Sequence, residues 1–116
     1  MTNNKQKGRI GEVLAVKFLE EKNYIVISQN FRFKRVGEID IIALNNGELH
    51  FVEVKARSSN CYGVAADAVG KRKQQKIRIV ASAYMSRCMF GYTAIHFDVV
   101  EVDLVSKKIN LIEDAF

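Results

Sequence analysis

The stretch from Gly37 to Lys55, GEIDIIALNNGELHFVEVK, decides the fold of this chain. It consists of two alternating apolar runs joined by Asn46-Gly47. Asn-Gly is the preferred pair for a two-residue type I′ turn, because both central positions of that turn need a positive φ. The stretch therefore predicts an antiparallel hairpin in which Asn45 faces Glu48 and the pairing continues residue by residue along both arms.

This register brings acidic residues together. It places Asp40 opposite Glu53 and Glu38 opposite Lys55, and directly opposed residues share one face of a sheet. Two carboxylates about 5 Å apart repel each other unless a positive charge lies between them. Mg²⁺ or Mn²⁺ meets this need, since both are hard ions that prefer carboxylate oxygens. The residues also allow a simpler interpretation, in which the acids occupy the solvent-exposed face of an ordinary hairpin.

Lys55 lies two residues after Glu53, on the same side of the predicted strand. From there its ammonium group can orient or deprotonate a water, or stabilise charge that develops on a phosphate. Asp40 followed by Glu53-Val54-Lys55 resembles the motif of the PD-(D/E)XK nuclease superfamily, with Ile39 in the place of the usual proline. The resemblance implies a Mg²⁺- or Mn²⁺-dependent nuclease with two acidic metal ligands and a catalytic lysine.

The first predicted element is a helix from about Asn4 to Lys22. Glu12 falls within the apolar arc of this helix, so we expect its carboxylate to point toward the sheet and to need a partner. A neighbouring cation, Arg9 or Lys17, is one such partner. Several PD-(D/E)XK enzymes, archaeal Holliday junction resolvases among them, carry an acid on the first helix that completes the metal site. The resemblance implies that catalytic and metal-binding role for Glu12.

Two segments carry cations suited to contact with nucleic acid. One connects the first predicted strand, Tyr24–Arg32, to the hairpin and alternates cations with phenylalanines, which can grip a phosphate backbone and stack a base. The other is the second predicted helix, from about Ala65 to Met85, which carries five cations in eight residues without an acid. The residues assigned to nucleic-acid contact are Arg32, Lys34 and Arg35 near the first segment, Lys73, Gln74 and Lys76 in the second, and Arg57, which follows the hairpin. The solvated surface of a basic protein would explain the same charges.

The bulk composition indicates a soluble protein of one domain, residues 1–116. The net charge of +5 favours polyanionic partners such as nucleic acid or acidic membrane surfaces. No segment has the character of a signal peptide or a membrane span, which predicts a cytoplasmic protein without a membrane partner. Cys61 and Cys88 form no CxxC pair and are interpreted as reduced structural thiols.

The last two elements are predicted strands, Thr93–Val102 and Lys108–Ile112. His96 and Asp98 share a face of the first of them. They are interpreted as structural, because a lone histidine in an alternating strand is usually that. The resulting order of elements is αβββαββ.

Several phrases resemble, in this order and over almost the whole chain, the bacterial YraN-like family: GRIGE, NFRFKRVGEIDIIA, FVEVKARS, KQQKI and HFDVVEV. This resemblance implies an α/β protein with the restriction-endonuclease-like fold, a mixed β-sheet flanked by helices. It also implies that Glu12, Asp40, Glu53 and Lys55 occupy the matching site positions.

These observations predict a metal-dependent phosphodiesterase that acts on DNA, is selective for nucleic-acid structure, and serves repair or recombination. The rival prediction is a non-catalytic nucleic-acid-binding module with the same fold. A third is an interaction domain whose acids are merely solvated. The sequence does not decide whether the substrate is DNA or RNA, or whether cleavage is endonucleolytic or exonucleolytic. It is compatible with a homodimer as well as a monomer.

Overall fold

The computed structural model describes residues 4–58 and 69–116. Five strands form one mixed sheet in the order β1-β2-β3-β4-β5, in which β3 and β4 are parallel and all other neighbours are antiparallel. The parallel pair needs a crossover, and α2 lies in it. The elements are α1 (Asn4–Glu21), β1 (Ile25–Phe33), β2 (Gly37–Asn45), β3 (Glu48–Arg57), α2 (Lys71–Ser86), β4 (Ile95–Asp103) and β5 (Ile109–Ile112). The α/β class and the order αβββαββ are confirmed.

The hairpin of β2 and β3 has the predicted turn and register. Asn46 and Gly47 have φ values of 51° and 76°, the positive values that a type I′ turn requires. Pairing runs from Asn45–Glu48 to Ile41–Val52 and ends there. Beyond that point β2 continues paired to β1. The two strands that carry the acids therefore separate just where the acids begin.

The core lies on both faces of the sheet. Consecutive residues of β2, Ile41 and Ile42, enter different hydrophobic clusters, so this strand is buried from two sides. The first cluster joins the sheet to Ala15 and Leu19 of α1, and the second joins it to α2. The buried residues that α2 contributes are Ile77, Val80 and Ala81. Burial of each large aliphatic side chain stabilises the fold by about 1.5–3 kcal/mol.

A glycine fixes how closely α1 approaches the sheet. A Cβ atom on Gly11 would lie 2.5 Å from the Cβ of Ala56 in β3, a distance that real contacts do not allow. The missing side chain therefore lets α1 rest directly on the end of β3. Glu12, the next residue, is half-buried beside that contact. The GRIGE phrase of the sequence thus brings an acid close to the point where β2 and β3 separate.

The second helix begins later than predicted. Val69 and Gly70 precede α2 in non-helical conformation, with Gly70 extended at φ −70° and ψ 163°. Glycine is a poor helix former, which favours a helix that begins only after Gly70. The predicted helix included residues 65–68, which lie outside the described residues, as does Cys61. Cys88 is a free cysteine, as predicted.

The fourth strand is buried more completely than its alternating pattern indicated. Residues 97–103 are all buried, and they include Asp98, Glu101 and Asp103. β4 lies between β3 and β5, so both of its edges are paired. The other predicted boundaries differ from the observed ones by one or two residues. Neither helix in the described ranges is long and apolar enough to cross a membrane.

Candidate active site

The carboxylate of Asp40 bridges the opening between β2 and β3. Its Oδ2 accepts a hydrogen bond of 2.8 Å from the backbone N–H of Val54. Asp40 is the first residue of β2 beyond the ladder. Its side chain, instead of a backbone carbonyl, accepts the hydrogen bond from β3. Hydrogen bonding to β3 orients the carboxylate next to Glu53. The sequence predicted that Asp40 and Glu53 are paired in the ladder, and this is wrong, because the ladder ends at Ile41 and Val52.

Glu53 is a buried acid held between two lysines. Its side chain is 8% exposed, and its Oε1 lies 2.6 Å from Nζ of Lys73 and 3.8 Å from Nζ of Lys55. Lys73 reaches it from the first turn of α2. A buried carboxylate needs such compensation, because an unpaired charge away from water is costly. Three elements, β2, β3 and α2, therefore meet at this acid.

The pKa of Asp40 is raised to about 7. Burial is the largest cause, followed by repulsion from the charge of Glu53. The hydrogen bond from Val54 acts in the opposite direction, as does the positive charge of Lys73. Near neutral pH the site therefore holds one carboxylate that ionises at a cost, and a cation placed beside it would lower that cost.

Glu12 belongs to the same electrostatic cluster. Burial raises its pKa, a hydrogen bond with the side chain of Asn30 partly offsets this, and the charges of Glu38 and Glu53 raise the pKa further. The sequence offered Arg9 or Lys17 as its partner, and the structure gives Asn30 instead. Asn30 has a φ of 54°, a conformation that asparagine tolerates better than most residues. The sequence alone gave no signal that would pair it with Glu12.

Lys55 lies on the acidic side of β3, as predicted, but its partner differs. Its ion-pair partner is Glu53, whereas Glu38 pairs with Arg32 at 3.1 Å. Burial lowers the pKa of Lys55, and the neighbouring ammonium of Lys73 lowers it further. The prediction that Lys55 faces Glu38 is therefore wrong, because the ladder ends before that pair could form.

Lys73 has the opposite electrostatic character. Burial alone would lower its pKa, but the hydrogen bond with Glu53 and the charge of Glu53 raise it overall. The two lysines at one carboxylate thus differ. Lys73 is the firmly protonated partner of Glu53, and Lys55 is the amine that loses its proton more readily.

Two cavities flank the acids and share Asp40, Glu53 and Lys73. One, of about 570 Å³, extends toward α2 and the start of β2; the other, of about 370 Å³, extends toward α1 and the end of β3. The first is also lined by Val36, Gly37, Glu38, Gly70, Arg72, Lys76 and Ile77. The second is also lined by Lys7, Gly8, Glu12, Val54, Lys55, Ala56 and Arg57. The four residues predicted as catalytic are thus brought together around the second cavity.

The residues predicted to contact nucleic acid divide into two groups. Lys73, Lys76 and Arg57 line the cavities. Gln74 does not, since its side-chain amide donates a 2.8 Å hydrogen bond to the carbonyl of Val69 and secures the start of α2. The other members lie at the end of β1 and in the following turn, where they are exposed: Arg32, Lys34 and Arg35.

Two cations that line the cavities, Lys7 and Arg72, are not among the residues assigned individually to nucleic-acid contact. Nζ of Lys7 donates a 2.9 Å hydrogen bond to Oγ of Ser58, which ties α1 to the end of β3. A signal for Lys7 exists, because it lies one helical turn before Gly11 and so on the face that docks against the sheet. Arg72 lines the larger cavity, and it is one of the five cations that made the second helix a candidate contact surface.

The histidines and their acids form a separate cluster at the other end of β3. His50 Nδ1 lies 2.7 Å from Oδ2 of Asp98. His96 contacts Asp114 with Nδ1 at 2.7 Å and Glu48 with Nε2 at 2.6 Å. His96 and Asp98 thus have different hydrogen-bond partners, and these contacts tie β3, β4 and the C-terminal segment together, as their structural interpretation expects.

The fold and this site define a class of mixed α/β domains in which carboxylates and lysines gather where two antiparallel strands separate. The chain belongs to the UPF0102 family: the model described as "Uncharacterised protein family UPF0102" matches residues 11–113. A UPF0102 protein of Acetivibrio thermocellus is 46% identical over 98% of this chain and 93% of its own length. Relatives from Clostridioides difficile and Alkaliphilus oremlandii are also 46% identical, over 98% and 97% of this chain and 99% of their own lengths. The resemblance to the YraN-like family is thereby confirmed.

Proposed function

We propose that this protein is a metal-dependent phosphodiesterase of the PD-(D/E)XK kind that cleaves DNA at sites of unpaired structure. One observation carries the proposal. Asp40 and Glu53 lie together where β2 and β3 separate, with Lys55 beside Glu53 at 3.8 Å. The motif of acid, acid and lysine thus corresponds to one cluster in space and not merely to a spacing in the sequence.

The chemistry of the site suits Mg²⁺ or Mn²⁺. Asp40 and Glu53 offer hard oxygen donors, and the raised pKa of Asp40 reports negative charge that burial leaves poorly compensated. Within residues 4–58 and 69–116 no three Asp, Glu, His or Cys side chains converge closely enough to form a complete ligand set. A pair of carboxylates is the protein's usual share of a Mg²⁺ site, with waters and substrate phosphate completing it. Asp40 and Glu53 would hold the ion, and Glu12 would support them from α1.

The residues of the chain have distinct tasks in the proposed reaction. When bound, the ion supplies Lewis-acid stabilisation of the scissile phosphate and lowers the pKa of the attacking water. Val54 keeps the Asp40 carboxylate oriented through its N–H. Lys55, with its lowered pKa, accepts a proton from the attacking water or offsets negative charge on the phosphate in the transition state. Lys73 and Lys76 of α2 draw the phosphate backbone toward the acids.

The paired cavities favour an unpaired strand as the substrate. A strand whose scissile phosphate lies at Asp40 and Glu53 would continue into a cavity on each side. The larger cavity, with Val36 and Ile77 in its wall and Arg72 and Lys76 beside them, offers both apolar and cationic contacts for one nucleotide. A base inside a duplex is stacked and paired, so it enters such a cavity only at an unstacking cost of a few kcal/mol.

The test is incubation of the full chain with single-stranded, flapped, branched and fully paired DNA of matched sequence, in Mn²⁺ and in chelator. In Mn²⁺ we expect cleavage, and we expect its rate to rise with the fraction of unpaired nucleotides in the DNA. In chelator we expect no cleavage. Matched RNA strands in the same series test the choice of DNA. DNA binding of equal strength with and without metal, and no cleavage, would favour the non-catalytic module. The ion pair of Glu53 with Lys73 is the observation that supports that alternative, because it gives the buried acid a partner without any metal.

A further inference from the structure

Lys73 holds one of the two carboxylate oxygens of Glu53, an acid that we assign to the metal site. Its Nζ lies 2.6 Å from Oε1 of Glu53, whereas Nζ of Lys55 lies 3.8 Å from the same atom. An ammonium group has only donors, so it cannot share a metal's coordination sphere while protonated. A protonated Lys73 and a divalent cation at the same carboxylate repel each other, so they compete for the negative charge of Glu53.

The position of Lys73 allows it to leave. Its side chain is 46% exposed, against 19% for Lys55 and 8% for Glu53. Lys73 also belongs to the first turn of α2 and lines both cavities that flank the acids. Released from Glu53, its flexible four-carbon stem keeps the ammonium within the region through which a substrate strand would pass.

We propose that Lys73 is an exchangeable counter-ion that couples metal binding to phosphate binding, an inference that rests on the proposed function. In the free protein Lys73 neutralises Glu53. When a divalent cation binds at Asp40 and Glu53, Lys73 is displaced and becomes available to a substrate phosphate. Metal and nucleic acid then strengthen each other's binding, and by linkage the two effects are equal in size.

Lys76 provides a matched control. It lies one turn further along α2, lines the larger cavity, and makes no ion pair with any described residue. Removal of its charge weakens attraction of phosphate without freeing an acid. Comparison of the two lysines therefore separates competition at Glu53 from the general effect of one positive charge.

The experiment is a calorimetric titration of the full chain with Mn²⁺ alone at pH 8, for the parent, Lys73→Met, Lys76→Met and Asp40→Asn. We expect Lys73→Met to bind Mn²⁺ on the order of tenfold more tightly, because a positive charge has left the site. Lys76→Met should change the affinity by less than about twofold, since its charge lies farther from Glu53. Lys73→Gln carries the same expectation and replaces Lys73→Met if the methionine variant unfolds at lower temperature than the parent.

A second readout measures the coupling directly. Anisotropy of a labelled single-stranded oligonucleotide with phosphorothioate linkages, which resist cleavage, gives its affinity with and without Mn²⁺. In the parent and in Lys76→Met, Mn²⁺ should strengthen binding between about 5-fold and 150-fold, the usual range of coupling between two sites. In Lys73→Met the gain should fall severalfold.

The outcomes separate this inference from the proposed function. Equal Mn²⁺ affinity of the parent and Lys73→Met, lost in Asp40→Asn, would overturn the role of Lys73 and leave the metal site standing. An undiminished coupling in Lys73→Met would overturn it as well. Absence of Mn²⁺ binding in every variant would overturn the metal site itself, and the inference with it.

Discussion

Asp40 and Val54 are joined by a side-chain hydrogen bond of 2.8 Å where a backbone ladder ends. In a continued hairpin the carboxylate of Asp40 would stand on the sheet face without this constraint. Here it turns toward β3, and the N–H that has lost its ladder partner orients it. The local end of regular pairing thus creates the geometry of the site. Asp40 is half-buried there, and desolvation together with the charge of Glu53 raises its pKa against the effect of the Val54 hydrogen bond.

Replacement of Asp40 by asparagine should change how stability depends on pH. The pKa of Asp40 is about 7 in the folded protein, whereas the ordinary value of 3.8 applies to the unfolded chain. The native state therefore holds the proton of Asp40 more tightly than the unfolded state does. The stability of the parent should therefore fall relative to Asp40→Asn as pH rises from about 4 to 7, and then level off. At about 1.4 kcal/mol per pKa unit, and discounted for coupling to Glu53, the change is on the order of a few kcal/mol.

Urea denaturation of both proteins at intervals of pH measures this difference. Glu20→Gln, on the exposed side of α1, is the control and should follow the parent. Parallel stability curves for the parent and Asp40→Asn would show that the carboxylate is not destabilised by its surroundings.

Lys55→Ala should separate metal binding from chemistry. Lys55 cannot ligate a metal while protonated, so its removal should leave Mn²⁺ affinity equal or slightly higher. Cleavage should fall by roughly 10²–10⁴, the range for a residue that transfers a proton or stabilises the transition state. Calorimetric Mn²⁺ titration beside a cleavage assay measures both, with Lys71→Ala as a control on the exposed start of α2. If Lys55→Ala cleaves as well as the parent, Lys55 serves only the charge of Glu53.

Two glycines of α1 should respond oppositely to the same substitution. Gly8→Ala meets no atom within 4 Å and should stabilise the protein by up to about 1 kcal/mol through helix propensity. Gly11→Ala would force its Cβ to within 2.5 Å of Ala56 and should destabilise by about 1–3 kcal/mol. Thermal denaturation compares the pair, and Ala56→Gly should rescue Gly11→Ala. A stabilising Gly11→Ala would mean that α1 does not rest on β3 as described.

His96 should make the protein more stable in mild acid than in base. Its hydrogen bond with Glu48, and then that with Asp114, raises its pKa above 6.5, so the folded state favours the protonated ring. This contribution is complete below pH 6.5 and is lost as pH rises through the folded pKa. Melting temperatures of the parent and His96→Asn, measured from pH 5.5 to 9, should differ most at the acid end. A constant difference across that range would contradict the charged state of His96.

The hairpin could be predicted from sequence because its determinants are local. Asn46-Gly47 fixes the turn, and the turn fixes which residues of β2 and β3 face each other. That register was enough to bring Asp40, Glu53 and Lys55 to one place. It could not reveal where the ladder ends, because alternation continues in the sequence beyond Ile41 although pairing does not.

The contacts that sequence reasoning missed are those set by packing between distant elements. The ion pair of Lys73 with Glu53 depends on where α2 begins, and the sequence pattern placed that start too early, at about Ala65. The partner of Glu12 is Asn30, which lies on a different element altogether. Likewise, His50 and Asp98 meet only because β3 and β4 are parallel neighbours. Helical and strand periodicity carry no information on such pairs.

The most direct test is Mn²⁺-dependent cleavage of a flapped DNA by the parent, Asp40→Asn and Glu38→Gln under identical conditions. Glu38 lines the same cavity as Asp40 but pairs with Arg32, so its variant is the matched control for loss of one acid. We expect cleavage by the parent and by Glu38→Gln, and a loss of at least about 100-fold in Asp40→Asn. Cleavage by Asp40→Asn at the parent rate, or no cleavage by a parent that binds the same DNA without metal, would contradict it.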